Sequence, residues 1–83
     1  MKKFAKVVID NQEIIGDGFY ILDENNVFVK TEEDEIIVFL RKALREKRKI
    51  SLIEFSDGSV ISGPLIINRI DFGSEITKIY LRR

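Results

Sequence analysis

Short apolar runs rich in β-branched and aromatic residues occupy most of the first 30 positions of the chain. Such runs are typical of β-strands when turn-forming residues bound them. Polar clusters at residues 10–12 and 23–26 separate the runs and favour turns. The predicted strands are Lys3–Ile9, Glu13–Leu22 and Val27–Lys30. Together they predict a β-meander over residues 1–30, with a bulge or sharp bend at Gly16-Asp17-Gly18.

The spacing changes after Thr31, where apolar residues recur every three or four positions. That period predicts an amphipathic helix, which we place at residues 32–48. Its first residues are acidic and its last residues are basic, an order that complements the helix dipole. Thr31-Glu32-Glu33-Asp34 also resembles a capping box. The apolar stripe consists of Ile36, Ile37, Leu40, Ala43 and Leu44.

Strand-like apolar runs return after the helix, with predicted strands at Ile50–Ser56, Ser59–Asn68 and Ile76–Leu81. Asp57-Gly58 predicts a type I′ hairpin turn, in which both central residues have positive φ. Gly63-Pro64 predicts either a bend in the return strand or a proline on a sheet edge, and Asp71–Ser74 predicts a further turn. Residues 50–83 are therefore a hairpin plus a last strand, and the full order is β-β-β-α-β-β-β.

Several of these strands are apolar on both faces. Ile53 and Phe55 lie on one face of their strand, whereas Ile50 and Leu52 lie on the other. A sheet with one wet face would alternate more cleanly. The excess predicts either a closed barrel with a packed helix or a buried contact between copies of the chain. We expect an α+β, mostly β fold: one domain, residues 1–83, forming a small, strongly bent β-barrel with one helix.

Composition removes several classes of function. The 83 residues include no cysteine and no histidine, so disulfides, thiolate chemistry and the commonest general base and transition-metal ligand are absent. The N-terminal MKKFAKVVID has no apolar run of signal-peptide length, and no apolar stretch is long enough to span a membrane. We therefore expect a cytoplasmic protein with no membrane partner.

Charge is balanced overall but not along the chain. Residues 1–35 contain nine acidic and four basic residues, whereas residues 36–83 contain ten basic and five acidic ones. This asymmetry could orient a polyanion or pair two copies head to tail. The alternative is that the two halves neutralise each other within one compact domain.

The stretch FLRKALREKRKISLIEFSDGSVISGPL resembles the opening of a WYL domain. Such a domain begins with a helix of the type (L/I)xxAIxExRxV, followed by a strand, a hairpin and a Pro-Leu pair. The counterparts here are Leu40, Ala43, Leu44, Glu46, Arg48, Ile50, Leu52–Phe55 and Pro64-Leu65. The same stretch is similar to the broader Sm-like group. Both likenesses imply a barrel of the Sm/SH3-like kind.

The resemblance covers about residues 36–81 and departs from the WYL pattern at three points. Ile79-Tyr80-Leu81 stands where the Trp-Tyr-Leu triplet gives that family its name. The chain ends at Arg83, where a WYL domain would continue with further strands and ligand-contacting arginines. A β-meander also precedes the helix, and we expect it to supply barrel strands from the other end of the chain.

Basic residues crowd the predicted helix end, where six of the nine residues 41–49 are cations. They could neutralise several phosphates of a nucleic acid. The structural alternative is that they complement the helix dipole and pair with Glu46. The predicted nucleic-acid or anion-binding residues are Lys42, Arg45, Lys47, Arg48, Lys49, Arg69, Lys78, Tyr80 and Arg82.

Aromatic residues beside the C-terminal cations are candidates for base stacking. Tyr80 lies between Lys78 and Arg82 and is the better candidate. Phe72 has basic neighbours as well, but we expect it in the core.

Nothing in the sequence favours catalysis. The serines have no histidine to activate them, and no carboxylate sits in a recognisable acid–base frame. Glu32–Glu35 lacks the ligand spacing and the glycine of a calcium loop. We therefore expect no enzyme, no cofactor and no metal.

These observations predict a non-enzymatic regulatory or binding module. It would engage nucleic acid or a nucleotide-like anion through the basic helix end and the barrel surface. The alternative is a protein-interaction or self-assembly module, such as a small phage or mobile-element accessory protein. Its apolar strand faces would then contact a protein partner or further copies in a homo-oligomer.

Overall fold

The computed structural model describes residues 1–83 as a closed barrel of six antiparallel strands with a single helix. The predicted order β-β-β-α-β-β-β and the predicted mostly-β barrel with one helix are confirmed. The strands are β1 (Lys2–Ile9), β2 (Gln12–Leu22), β3 (Asn26–Thr31), β4 (Ile50–Phe55), β5 (Val60–Phe72) and β6 (Thr77–Arg82). The helix, α1, spans Asp34–Arg45.

Two three-stranded meanders form the barrel wall. β1–β3 make the first meander and β4–β6 the second, and the order around the wall is β1-β2-β3-β6-β5-β4. The barrel closes where β3 pairs with β6 and where β1 pairs with β4. The N-terminal meander therefore supplies half of the wall, as the sequence predicts.

The core lies inside the barrel and under the helix. Eighteen buried apolar residues form one cluster, to which all six strands and α1 contribute inward-facing side chains. α1 packs against β5 and β2 across one end of the barrel and buries Ile36, Leu40 and Ala43. Burial of a large aliphatic side chain contributes about 1.5–3 kcal/mol, so Ile36 and Leu40 anchor the helix. The stripe is narrower than predicted, because Ile37 is half-buried and Leu44 is exposed.

Both glycine-containing bends predicted from the sequence are confirmed. The pairing of β1 with β2 skips one residue of β2 at Gly16-Asp17. The pairing of β4 with β5 skips one residue of β5 at Gly63-Pro64. A bulge bends its strand and increases the local twist. β2 and β5 can therefore pair with one neighbour near their start and with another near their end.

The second meander repeats the strand pairing of the first. Every pair between β4 and β5 has an equivalent between β1 and β2, and the two bulges occupy equivalent positions. An approximate two-fold axis thus relates the meanders, passing through the Val8–Glu54 and Phe28–Tyr80 pairs. Equivalent positions include Phe4 and Ile50, Ile14 and Ile61, Gly16 and Gly63, Tyr20 and Ile67, and Lys30 and Arg82.

Side-chain hydrogen bonds follow the same two-fold relation. Asp10 follows β1, and its Oδ1 accepts hydrogen bonds from the backbone N–H groups of Ser51 (2.8 Å) and Leu52 (2.9 Å). Ser56 follows β4, and its Oγ accepts one from the N–H of Ala5 (2.9 Å). The residue that follows the first strand of each meander therefore satisfies backbone donors of the other meander.

The two-fold relation breaks at the ends of the barrel. α1 covers one end, and three aromatic rings fill the other. Tyr20 stacks on Phe55 with ring centres 3.8 Å apart, and Phe4 lies 5.3 Å from Phe55. The equivalent residues beneath the helix are smaller: Ile67, Ile9 and Ile50. Large rings thus occupy the space that helix side chains occupy at the opposite end.

The β4–β5 turn differs from the prediction. Gly58 has a φ of 94°, but Asp57 does not have positive φ, so this is not a type I′ turn. Phe55 N–H donates to Ser59 O (2.8 Å), which closes a three-residue loop with Gly58 in the left-handed conformation. Two consecutive residues of positive φ occur instead at Asp10-Asn11, between β1 and β2.

The N-terminus of α1 also differs from the prediction. Glu33 is the N-cap and makes no capping side-chain hydrogen bond. Thr31 ends β3, where its Oγ1 donates to Asp17 O (2.7 Å) and accepts from Glu33 N–H (3.0 Å). The predicted capping box is therefore wrong, because the threonine belongs to the preceding strand.

The C-terminus of α1 lies three residues before the predicted end. Lys47 N–H donates to Leu44 O (3.1 Å) and Arg48 N–H donates to Ala43 O (2.9 Å), while Lys47 has a φ of 54°. These bonds form a Schellman motif. Glycine usually takes the left-handed position of this motif. Because lysine occupies it here, the sequence carries no glycine that would mark the end of the helix.

The last predicted turn begins too early. β5 continues through Asp71 and Phe72, which pair with Lys78 and Thr77, and the connection follows at residues 73–76. Cross-strand pairing extends the strand past the polar residue that suggested a turn.

Candidate nucleic-acid interface

A row of large side chains crosses the outer wall of the barrel on β2, β3, β6 and β5. Cross-strand pairing places Ile21 beside Phe28, Phe28 beside Tyr80, and Tyr80 beside Arg69. The residues on either side of Phe28 and Tyr80 in sequence are buried, so both rings point outward. Each ring is half-buried by its neighbours and presents the remainder to solvent.

The two rings form a small aromatic platform. Their centres are 5.0 Å apart and the ring planes are inclined by 50°. The guanidinium carbon of Arg69 lies 4.4 Å from the centre of the Tyr80 ring, and Arg69 Nε lies 3.1 Å from Asp71 Oδ1. Cation–π contacts at such exposed sites contribute about 0.5–1 kcal/mol. Arg69 is therefore held beside Tyr80 and extends the platform.

A bulge in β5 places Arg69 in this position. The pairing of β5 with β6 skips Asn68, so that Arg69 lies opposite Tyr80. In the first meander no such bulge occurs, and Ile21 lies opposite Phe28. One extra residue thus makes the second half of the row basic where the first half is apolar.

Further cations surround the rings. Lys30 lies directly opposite Lys78, and Arg82 lies opposite Asn26. Like charges in directly opposed positions destabilise an antiparallel pair, and Asp71, on the other side of Lys78, partly offsets the repulsion. We name this surface the basic face; it consists of Phe28, Lys30, Arg69, Lys78, Tyr80 and Arg82. It carries four cations, and carboxylates lie at its margins: Asp71 opposite Lys78, Asp23 in the depression beside Tyr80 and Arg82, and Glu32 and Glu33 in the depression beside Lys30.

The basic face unites four of the nine residues predicted from the sequence: Arg69, Lys78, Tyr80 and Arg82. Sequence reasoning missed Phe28 and Lys30, because they lie in the N-terminal meander. A signal for them exists in the similarity of VFVK, residues 27–30, to IYLR, residues 79–82. These segments are equivalent under the two-fold relation and meet at its axis.

The other five predicted residues lie at the helix end: Lys42, Arg45, Lys47, Arg48 and Lys49. None of them forms a salt bridge, so the expected pairing with Glu46 is absent. Arg48 places its guanidinium carbon 5.0 Å from the Phe39 ring centre. Lys42 and Arg48 line an open groove of about 540 Å³ between α1 and the start of β2. That groove also contains Glu13, Asp34 and Glu35, so its charge is mixed.

Lys47 lies on another side of the helix end. Together with Ala43, Leu44 and Arg48 it borders a depression of about 190 Å³ that is also lined by Ile66. Ile66 pairs directly with Arg82 in the β5–β6 ladder. Lys47 and Arg48 are thus the helix-end cations that adjoin the basic face, and of the two only Arg48 also lines the mixed groove.

Phe72 is not in the core, contrary to the expectation. Its side chain is 59% exposed and lies beneath Arg41, whose guanidinium carbon is 5.9 Å from the ring centre. β5 extends to Phe72 at the rim of the barrel, where the wall no longer encloses it.

A second polar cluster lies at the aromatic end of the barrel. The Tyr20 hydroxyl donates to Asp57 Oδ2 and lies 2.7 Å from Ser59 Oγ. Burial raises the pKa of the Tyr20 hydroxyl above its ordinary value, and the hydrogen bond to Asp57 raises it further. The hydrogen bond from Tyr20 lowers the pKa of the Asp57 carboxyl. This cluster ties the β4–β5 turn to the core and has no nucleophile–base arrangement.

Comparison with known proteins gives no relative: no family model, no curated protein and no solved structure matches the chain. The one helix is too short and too polar to cross a membrane. No group of three or more carboxylates is arranged to hold a metal ion.

Proposed function

We propose that this protein is a non-enzymatic module that binds single-stranded nucleic acid on the basic face. Phe28 and Tyr80 would stack on bases, and the surrounding lysines and arginines would neutralise phosphates. The observation that carries the proposal is the pair of outward-facing rings among four cations. An aromatic platform with cations around it is the usual construction of a single-strand binding surface.

The arrangement favours a single strand over a duplex. Bases in a duplex stack on one another, so rings lying in a barrel wall have no access to their faces. Reading the major groove requires a helix or a two-stranded ribbon that projects into it, and the basic face lies within a continuous wall. Unstacked bases of a single strand can meet the rings directly.

The WYL resemblance, which covers about residues 36–81, supports a binding role on this wall, because that range includes Tyr80. The position of the family's tryptophan is occupied by Ile79, which is buried in the core. The ligand-binding part of the proposal therefore rests on the basic face itself.

Titration with a fluorescent single-stranded oligonucleotide at several salt concentrations tests the proposal. A Lys30→Gln/Lys78→Gln/Arg82→Gln variant should lose three phosphate contacts. The slope of log K against log salt should then fall by about 2, at about 0.7 per contact for single strands. The matched control is Lys42→Gln/Arg45→Gln/Lys49→Gln, which removes three cations from the helix end and should change the slope less.

The rings are tested separately. Phe28→Leu and Tyr80→Leu keep the apolar cover of the wall but remove the stacking surface, and each should weaken binding by about 1–3 kcal/mol. Thermal unfolding of each variant checks that the barrel is intact. Absence of binding by the unmodified protein at low salt, or equal losses in the two triple variants, would contradict the proposal.

An apolar ridge on β2 favours a second function, contact with a protein partner or a second copy. Ile15, Phe19 and Ile21 point outward and are 71%, 39% and 46% exposed. Light scattering at high concentration tests self-association, and Ile15→Lys should abolish any dimer without unfolding the barrel. A monomer at all concentrations would exclude the second copy as the partner.

A further inference from the structure

Cations from two different parts of the fold flank Ile66. On one side Arg82 pairs with Ile66 across the β5–β6 ladder, where directly opposed residues lie about 4.5–5.5 Å apart. On the other side Lys47 and Arg48 border the depression that Ile66 also lines. Ile66 points outward, because Leu65 and Ile67 are both buried. Between the aromatic rings and the helix end, the barrel wall therefore presents the apolar side chain of Ile66 with cations on both sides.

We infer that the ligand is an extended single strand that leaves the aromatic platform, crosses Ile66 and places a flanking phosphate on Lys47. This inference rests on the proposed function, and it names the ligand as a polymer rather than a mononucleotide. The bases on Phe28 and Tyr80 would occupy the centre of the site, and Arg82 would contact the phosphate on the platform side of Ile66.

The shape of the basic face argues against a mononucleotide. The depression beside Phe28, Tyr80 and Arg82 has a volume of about 240 Å³ and lies open on the barrel wall. Pockets for small ligands usually measure about 300–1,000 Å³ and bury most of the ligand. An open wall gains affinity instead by adding contacts along a chain, as single-strand binding barrels do over about 4–16 nucleotides.

The conformation of Lys47 makes the inference testable without loss of folding. Lys47 occupies the left-handed position of the Schellman motif, where glycine is the preferred residue. Lys47→Gly therefore removes the cation and keeps both backbone hydrogen bonds that end the helix. The variant should be at least as stable as the unmodified protein.

The experiment compares oligothymidylates of about 3 and about 12 nucleotides, lengths chosen to cover the platform alone or the platform and the helix end. For the longer strand, Lys47→Gly should lower the slope of log K against log salt by about 0.7, the value of one lost contact. For the shorter strand it should leave the slope unchanged. Lys42→Gln removes one cation from the mixed groove and should alter neither slope.

Each outcome decides between the two proposals. If the unmodified protein binds neither strand, the proposed function fails and the inference fails with it. If it binds the longer strand but Lys47→Gly leaves the slope intact, the inference is wrong and the proposed function stands. Equal losses with both strands would place Lys47 at the platform and would contradict the path across Ile66.

Discussion

Tyr20 shows how a single buried side chain connects the core to a surface turn. Its ring stacks on Phe55 inside the barrel, and its hydroxyl reaches Asp57 and Ser59 in the β4–β5 connection. The three-residue loop has Asp57 at its centre and brings its carboxylate to this hydroxyl, whereas the predicted type I′ turn would have required a positive φ at Asp57. The Asp-Gly pair revealed that a turn occurs here, but only the tertiary contact explains its type.

Tyr20→Phe should lower the free energy of unfolding by about 1 kcal/mol at neutral pH, because it deletes the hydroxyl and keeps the ring. Urea denaturation measures the loss. Ser59→Ala, which removes one partner of the hydroxyl and leaves Asp57 in place, is the milder comparison. An unchanged midpoint in Tyr20→Phe would show that water replaces the bond without loss.

The stability difference between the unmodified protein and Tyr20→Phe should depend on pH at both extremes. The folded pKa of Asp57 is lowered, so its contribution is complete above about pH 4 and is lost as pH falls through that lowered value. The folded pKa of Tyr20 is raised, so its contribution is complete below about pH 10 and is lost as pH rises through the raised value. A difference that stays constant from acid to alkali would contradict this account.

The bulges are the elements that shape the wall. Gly16 and Gly63 are equivalent in the two meanders, but different atoms face them. A Cβ at Gly63 would collide with the backbone carbonyl oxygen of Ile50, whereas a Cβ at Gly16 would meet the side chain of Glu33. Glu33 is exposed and can move, but the β4 backbone cannot move without disturbing its pairing.

Gly63→Ala should therefore destabilise the barrel by about 1–3 kcal/mol, the usual cost of forcing extra atoms into a packed region. Gly16→Ala should cost less, and chemical denaturation of the two variants measures the difference. A Gly16→Ala/Glu33→Ala double variant should recover most of the smaller loss. Equal costs at the two glycines would contradict the contrast between the two contacts.

α1 illustrates what a sequence pattern reveals about an element and what it does not. The period of its apolar residues identifies the helix and its buried positions Ile36, Leu40 and Ala43. Its ends are hidden, because Thr31 is engaged by Asp17 of another strand and because a lysine takes the left-handed position at the C-terminus. Both ends depend on contacts or conformations that local composition does not encode.

For the whole molecule, the barrel depends on α1 as a cover for one end. Leu40→Ala should destabilise the protein by about 2–5 kcal/mol, because the wall beneath the helix has isoleucines rather than rings and cannot fill the cavity. Denaturant unfolding measures this loss. Val38→Ala, at an exposed position of the same helix, is the matched control and should cost less than about 0.5 kcal/mol.

The order of strands and helix along the chain could be predicted, because apolar runs bounded by turn residues mark the strands and the three-to-four-residue spacing of apolar positions marks the helix. The candidate site could be predicted only in part. Lys78, Tyr80 and Arg82 occupy alternate positions of one strand and so share a face. Phe28 and Lys30 join them through the β3–β6 pairing, which links residues far apart in the chain. The Asn68 bulge, which brings Arg69 to Tyr80, is likewise a consequence of register.

The broken two-fold relation gives the basic face a direction. Two equivalent meanders would present the same surface to a strand running either way across the axis at Phe28 and Tyr80. Ile21 on one side and Arg69 on the other make the two approaches unequal, and Lys47 lies on the Arg69 side alone. A bound strand would therefore have one preferred 5′-to-3′ polarity, although the barrel that binds it is built from two nearly interchangeable halves.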